Sequence, residues 1–243
     1  MSIDTESTET PDSPEIHHTH RNVTGGWLRP AVFGASDGLI SNFALLSGVA
    51  GAHASAHTIS VTGIAGLIAG SFSMAAGEWV SVASQTELTR AEIDVEKHEL
   101  KHNAAEEQQE LALMYQARGL DADLAQEVAR QLSRDPEKLW RIHTREELGV
   151  DPDDLPSPWV AAISSMASFA VGAFIPLLPF LLGARNLLIA GLLAALALFA
   201  LGAAVSRFTA RTWWFSGLRQ LFVGAIAAAV TFGAGAALGT HLS

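Results

Sequence analysis

An all-α fold of five membrane-spanning helices, with a polar helical insert between the second and third, is predicted by how this chain distributes its charge. Of 243 residues, 49% are hydrophobic and only 16% are charged. With a mean hydropathy of +0.26, this is too apolar for an ordinary soluble domain of that length. The charge is also segregated: there are 25 Asp and Glu, none follows Asp154, and only Asp37 and Glu78 lie between Glu15 and Glu87. The net charge of −10 therefore belongs to the N-terminal tail and the insert, which disfavours nucleic acid as a partner and favours cations. Cysteine is absent, which excludes disulfides and thiolate metal sites.

Four regions follow in order. Residues 1–26 read as a disordered acidic tail, rich in Ser, Thr and Pro, with neither the basic nor the apolar region of a cleavable signal peptide. Residues 27–86 hold the first two spans, 87–155 the insert, and 156–243 the last three spans. Segments of about 20 apolar residues, enough to cross roughly 30 Å of hydrocarbon, fall at 29–52, 59–84, 158–182, 185–206 and 217–240. Trp27, Trp79, Trp159, Trp213 and Trp214 lie near their ends as interfacial anchors. Gly34/Gly38, Gly66/Gly70 and Gly235/Gly239 have the GxxxG spacing of closely packed helices, and Pro176 and Pro179 predict a kink or an unwound stretch late in the third span. Apart from Arg185, every Lys and Arg falls on the side shared by the N-terminus, the insert and the 207–216 loop; the positive-inside bias places that side in the cytosol. The insert reads as three helices. One, over 87–116, continues out of the second span; one, over 121–134, carries a stripe of Leu124, Val128 and Leu132; one, over 136–148, follows the Asp135-Pro136 start signal. Alanine-rich spans and overall brevity point to a bacterial plasma membrane.

Ionisable residues inside apolar spans are functional candidates, because a charge there costs at least about 2.5 kcal/mol. Asp37 sits among small residues near the middle of the first span, and Met74 and Glu78 share a face of the second at i, i+4 spacing. In the insert, Glu96, Glu99, Glu107 and Glu110 fall within roughly 80° of helical arc, joined by Glu92. A straight helix would hold Glu96 and Glu110 about 21 Å apart, too far for one ion. Either several ions bind, or the helix breaks near Asn103-Ala104-Ala105 and folds the two Glu-x-x-Glu pairs together. His143, Glu146 and Glu147 offer further ligands from another helix. The competing expectation is a solvated acidic face paired with Lys97, Lys101 and Arg145. His17, His18 and His20 in the tail are a weaker metal-collecting candidate. No nucleophile motif or phosphate-binding loop is present, so nothing points to an ATP-driven pump.

The segments Phe33-Gly34-Ala35-Ser36-Asp37-Gly38-Leu39-Ile40-Ser41 and Ala69 through Val82, followed by the acidic insert, resemble the vacuolar iron transporter family over about residues 27–241. That resemblance implies a homodimer of five-helix subunits in the lipid bilayer, with the ion pathway between protomers, exchanging cytosolic Fe²⁺ and often Mn²⁺ for protons. Zn²⁺ is an admissible substitute, and no cofactor is implied. Asp37 and Met74, with Glu78 added from its position, match the transport pathway. Glu96, Glu99, Glu107, Glu110 and Glu147 match the family's cytosolic metal-binding glutamates. Where members place a methionine ligand this chain has His143, which keeps a ligand but changes its hardness. An alternative from another class is a membrane-anchored ferritin-like iron oxidase or storage protein. Its Glu-x-x-His motifs have a single counterpart here, Glu99 with His102.

Overall fold

The computed structural model describes residues 26–184, 186–209 and 211–241. The N-terminal tail with His17, His18 and His20, and Arg185, lie outside the described residues. Eight α-helices follow in order: α1 Leu28–Gly51, α2 Ala56–His102, α3 Ala104–Ala117, α4 Ala122–Leu132, α5 Pro136–Glu147, α6 Pro158–Leu181, α7 Leu187–Val205 and α8 Trp213–His241, with one 3₁₀ turn at Ser206–Phe208. Five of them, α1, α2, α6, α7 and α8, are long and apolar enough to cross a membrane. The expected spans match them closely, except that α8 begins at Trp213 and so takes Trp213 and Trp214 into its first turn.

Helix α1 is the centre of the bundle, packed against α6, α8, α2 and α7. Glycine makes this possible. A Cβ on Gly34 or Gly38 would run into the α6 backbone at Ser165 and Phe169, one on Gly172 would meet Ala35, and one on Gly235 would meet Gly48. The small-residue spacing thus serves close helix packing, the main source of association between helices in lipid. Leu46, Ile59, Leu177, Phe180 and Ala190 close the far end as an apolar cluster.

Of the two outcomes expected late in the third span, the unwound stretch is absent. Helix α6 runs through both Pro176 and Pro179 to Leu181, and both prolines are buried. Each ring removes one helical hydrogen bond, but both sit in the last two turns, held by the cluster containing Leu177 and Phe180.

The five membrane tryptophans are all exposed and all lie at the end of the bundle from which the insert projects. Trp79 and Trp159 meet edge to face with ring centroids 5.9 Å apart, which ties α2 to the start of α6 at that level. Beyond it α2 continues without interruption as a 47-residue helix, about 70 Å long, so the second span and the first insert helix are one rod.

Within the insert, the expected stripe on α4 is buried only in part: Leu132 packs against the core and Val128 is half-buried, but the centre of the contact is shifted by one residue. Leu124 is 54% exposed, whereas Ala125 and Ala129 are fully buried against α3. Small side chains allow α3 and α4 to approach, and Leu111, Ala112, Ala129 and Leu139 form the resulting core. Helix α5 starts as its sequence dictates, with Pro136 in the first turn and Asp135 accepting from the backbone N–H groups of Glu137 and Lys138.

The interlocked glycines give a direct test. Gly38→Leu should destabilise the protein in detergent by several degrees or prevent its folding, whereas Gly77→Ala, where an added Cβ meets nothing within 4 Å, should leave the melting temperature level or raise it. Equal effects at the two positions would contradict this packing.

Candidate metal centre and intramembrane cavity

The insert helix breaks at Asn103, whose φ of −125° and ψ of 36° leave the helical region. Its side-chain amide donates to the Glu99 carboxylate one turn back, which anchors the corner. The reversal brings the two Glu-x-x-Glu pairs together, as one of the two sequence expectations required. Glu96 on α2 and Glu107 on α3 converge on the same imidazole: His143 Nδ1 of α5 lies 2.9 Å from Glu96 Oε1 and 3.6 Å from Glu107 Oε2. Glu147, one turn further along α5, completes a set in which one ligand atom each from Glu96, His143 and Glu147 lies within 4.8 Å of the others.

His143 is fully buried, and Glu96 and Glu107 nearly so. Although the 2.9 Å separation is that of a hydrogen bond, the angles are not, and Glu96 Oε1, His143 Nδ1 and His143 Nε2 all lack a hydrogen-bond partner. Three buried polar atoms left unpaired are expensive, at about 1–3 kcal/mol each. The electrostatics agree. Burial pushes Glu96 up to about 8, reinforced by a hydrogen bond with Glu147 and by repulsion from Glu147, Glu107 and Glu110. Glu107 is raised by burial and by Glu110, Glu147, Glu99 and Glu106. Burial lowers His143, against the pull of Glu147, and so favours the neutral, metal-ligating imidazole.

The structure thus brings Glu96, Glu107 and the exposed Glu147 around His143, with Glu110 and Glu99 within electrostatic reach. Of the competing solvated face, the exposure holds for Glu110 and Glu147, while the expected ion pairs with Lys97, Lys101 and Arg145 are not formed. Among the described residues no Lys or Arg pairs with these five glutamates. Lys97 lies over the Trp140 ring at 4.0 Å and Arg145 pairs with Asp151. Glu146 turns away to Arg118 and Tyr115, and Glu92 is exposed. His102 stacks on His98 at the surface, with centroids 4.1 Å apart, so the Glu99/His102 pair does not enter the cluster as a di-iron motif would. Carboxylates with one imidazole suit Mn²⁺, Fe²⁺ or Zn²⁺, and the imidazole disfavours Mg²⁺ and Ca²⁺.

In the membrane, Asp37 and Met74 line one cavity of about 370 Å³ between α1 and α2, with Ser41, Asn42, Leu45 and Ser73. Ser41, Leu45 and Ser73 are exposed, so one wall of this cavity is open. Glu78 is buried one turn beyond Met74, next to Trp79, at the tryptophan level and outside the lining. Asn42 was missed in the sequence. It is 2% exposed, its Nδ2 donates to the Ala173 carbonyl at 2.7 Å, and its Oδ1 is left without a partner. Its i, i+5 offset from Asp37 conceals the relation, which shows only in the cavity that both line.

The family model described as the VIT family matches residues 28–236. The chain belongs to the VIT family. It is 37% identical over 221 residues to the vacuolar iron transporter of Acanthamoeba castellanii, covering 87% of this chain and 78% of that one. It is 32% identical to vacuolar iron transporter 1 of Arabidopsis thaliana, over 89% of this chain and 88% of the relative. Vacuolar iron transporter homolog 1 of Oryza sativa subsp. japonica is 34% identical over 88% of this VIT-family chain and 75% of its own length.

The strained cluster makes the stability of the metal-free protein depend on pH. Glu96 holds its proton to about 8 when folded but releases it near 4.5 when unfolded, so its contribution is complete below about 4.5 and is lost as pH rises through 8. In chelator, the melting temperature of the insert should therefore fall between pH 5 and 8. Mn²⁺ at a hundred times its Kd should restore about 2.7 kcal/mol at pH 8. Glu96→Gln should flatten the pH dependence and shrink the Mn²⁺ shift; an unchanged Mn²⁺ shift in that variant would contradict the assignment.

Proposed function

We propose that this VIT-family chain is a proton-coupled exporter of Fe²⁺, and of Mn²⁺, from the cytosol. The observation that carries the reading is the buried His143 with both ring nitrogens unpartnered, grouped with Glu96 and Glu147: ligand atoms assembled at a cost that a divalent ion offsets. The printed names of the relatives, vacuolar iron transporters, support iron as cargo. In this account Glu96, Glu107, His143 and Glu147 hold the captured ion, while Glu99 and Glu110 add negative potential that concentrates cations at the site. The ion then passes Glu78 at the membrane surface and enters the cavity of Asp37, Met74 and Asn42.

Coupling follows from competition. A metal ligates only the deprotonated carboxylate, so ion and proton exclude each other at Asp37 and at the insert glutamates. Metal moving outward and protons moving inward then alternate on the same groups. No covalent step is involved, and the chain acts as a secondary transporter rather than an enzyme. The excess of Lys and Arg on the insert side supports a cytosolic insert and N-terminus, in what we take to be a bacterial plasma membrane. A homodimer would close the open wall of the cavity, with a second α1/α2 pair set against exposed Ser41, Leu45 and Ser73.

Proteoliposomes with an acidic lumen and outward-facing inserts test this. Fe²⁺ uptake should be abolished by Asp37→Ala, and undiminished uptake would remove the mechanism. Glu96→Gln should raise KM by about tenfold or more with little change in the maximal rate, because capture and translocation are separate steps. Mn²⁺ and Zn²⁺ should compete with Fe²⁺, and Mg²⁺ should not. Asn42→Leu should slow uptake without altering metal binding by the insert.

A further inference from the structure

The corner between α7 and α8 holds a cleft of about 980 Å³, lined by Ala200, Ala203, Ala204, Arg207, Arg211 and Trp213 among others. It has no part in either metal-handling site. Its charge is unbalanced: no carboxylate follows Asp154 in the chain, and among the described residues neither Arg207 nor Arg211 forms an ion pair. Both are exposed, and Arg211 lies over the Phe215 ring at 5.9 Å. Below the two guanidiniums the wall is methyl-lined. Leu192, Leu196, Ala200 and Ala203 follow one another at helical spacing along α7, and the two leucines are 64% and 67% exposed to the hydrocarbon. Trp213 and Trp214 mark this height as the membrane interface.

A pair of guanidiniums without a carboxylate partner among the described residues, at headgroup level above an apolar strip that runs into the bilayer, matches a molecule with an anionic phosphodiester and an acyl chain. We propose that this cleft binds an anionic phospholipid, its phosphate held between Arg207 and Arg211 and one chain laid along Ala203, Ala200 and Leu196. Guanidinium suits the task because its fork donates to two phosphate oxygens at once. Phosphatidylcholine fits less well, since its quaternary ammonium would sit close to two cations. The site lies on the same membrane face as the insert, because the α7–α8 turn and the α2–α6 connection are separated by two crossings. Basic clefts between helices at an interface are a recurrent form of headgroup recognition. The inference is independent of the transport reading, since neither Arg207 nor Arg211 touches the metal sites.

Trp213 supplies the probe. Full-length protein is reconstituted in phosphatidylcholine vesicles containing brominated phosphatidylglycerol or, separately, brominated phosphatidylcholine at the same low mole fraction. Trp213 quenching is read as wild type minus Trp213→Phe. The expected result is quenching by phosphatidylglycerol at about tenfold lower mole fraction than by phosphatidylcholine. Arg207→Gln/Arg211→Gln should abolish the preference, and Arg207→Lys/Arg211→Lys should retain much of it. Soluble glycerol phosphate at millimolar concentration should not reverse the quenching. Equal quenching by the two lipids in wild type would overturn the proposal, as would a preference that survives the double Gln substitution. Displacement by glycerol phosphate would assign the cleft to a free phosphate instead and would also overturn it. Should the Gln variant fail to fold, the wild-type lipid preference and the Lys variant still decide.

Discussion

Carboxylates held close together around one imidazole, two of them buried and none paired with a Lys or Arg among the described residues, are the constraint on which this molecule is built. Glu96, Glu107 and Glu147 surround a buried imidazole that favours the neutral form, and the nearby Lys97 and Arg145 are engaged elsewhere, by Trp140 and by Asp151. Repulsion and burial raise the proton affinity of Glu96 and Glu107, so the metal-free cluster stays partly protonated. A fold selected only for stability would replace this group with apolar side chains or place an arginine within it. The strain is intelligible as the resting condition of a site completed by a divalent ion.

Geometry then sets how that site communicates with the membrane. Helix α2 carries Met74, Glu78 and Glu96 on a single uninterrupted rod, and the 22 residues from Met74 to Glu96 span about 33 Å. The ion must cross that distance, and Glu78 at the tryptophan level is the one carboxylate between the cavity and the insert on this helix apart from the exposed Glu87, Glu92 and Asp94. At the membrane end, the glycine seam between α1 and α6 holds the backbones so close that Asn42 can reach the Ala173 carbonyl. Its amide oxygen is thereby left facing α2, beside the cavity that Asp37 and Met74 line. Tight packing on one side of α1 and an open wall on the other arise from the same asymmetry in side-chain size.

Much of this was legible in the sequence, for identifiable reasons. Spans are written in composition and were placed within a few residues, whereas the confinement of acid to the tail and residues 87–154 marks an insert that α2 enters without a break. The glutamate cluster was legible as two alternatives, because helical arc gives the face of Glu96 and Glu107 but not whether Asn103 breaks the helix. What decided it was tertiary: the core of Leu111, Ala112, Ala129 and Leu139 packs only if α3 folds back. Pro176 and Pro179 left a kink and an unwound stretch both open, and packing sustains the helix through them. The apolar stripe misled in part at α4, where two alanines outrank Leu124 because helix proximity matters more there than side-chain area. Asn42 carried no periodic signal, since its role depends on how two helices cross.

The central claim is that the Glu96, His143 and Glu147 group is a metal site in waiting, and anomalous diffraction from crystals of the full chain grown with Mn²⁺ tests it most directly. The account predicts an anomalous peak within about 2.0–2.3 Å of ligand atoms from all three residues, which Glu96→Gln weakens or removes. Crystals that show Mn²⁺ only at the insert surface, with His143 hydrogen-bonded to a carboxylate and no peak beside it, would contradict the account.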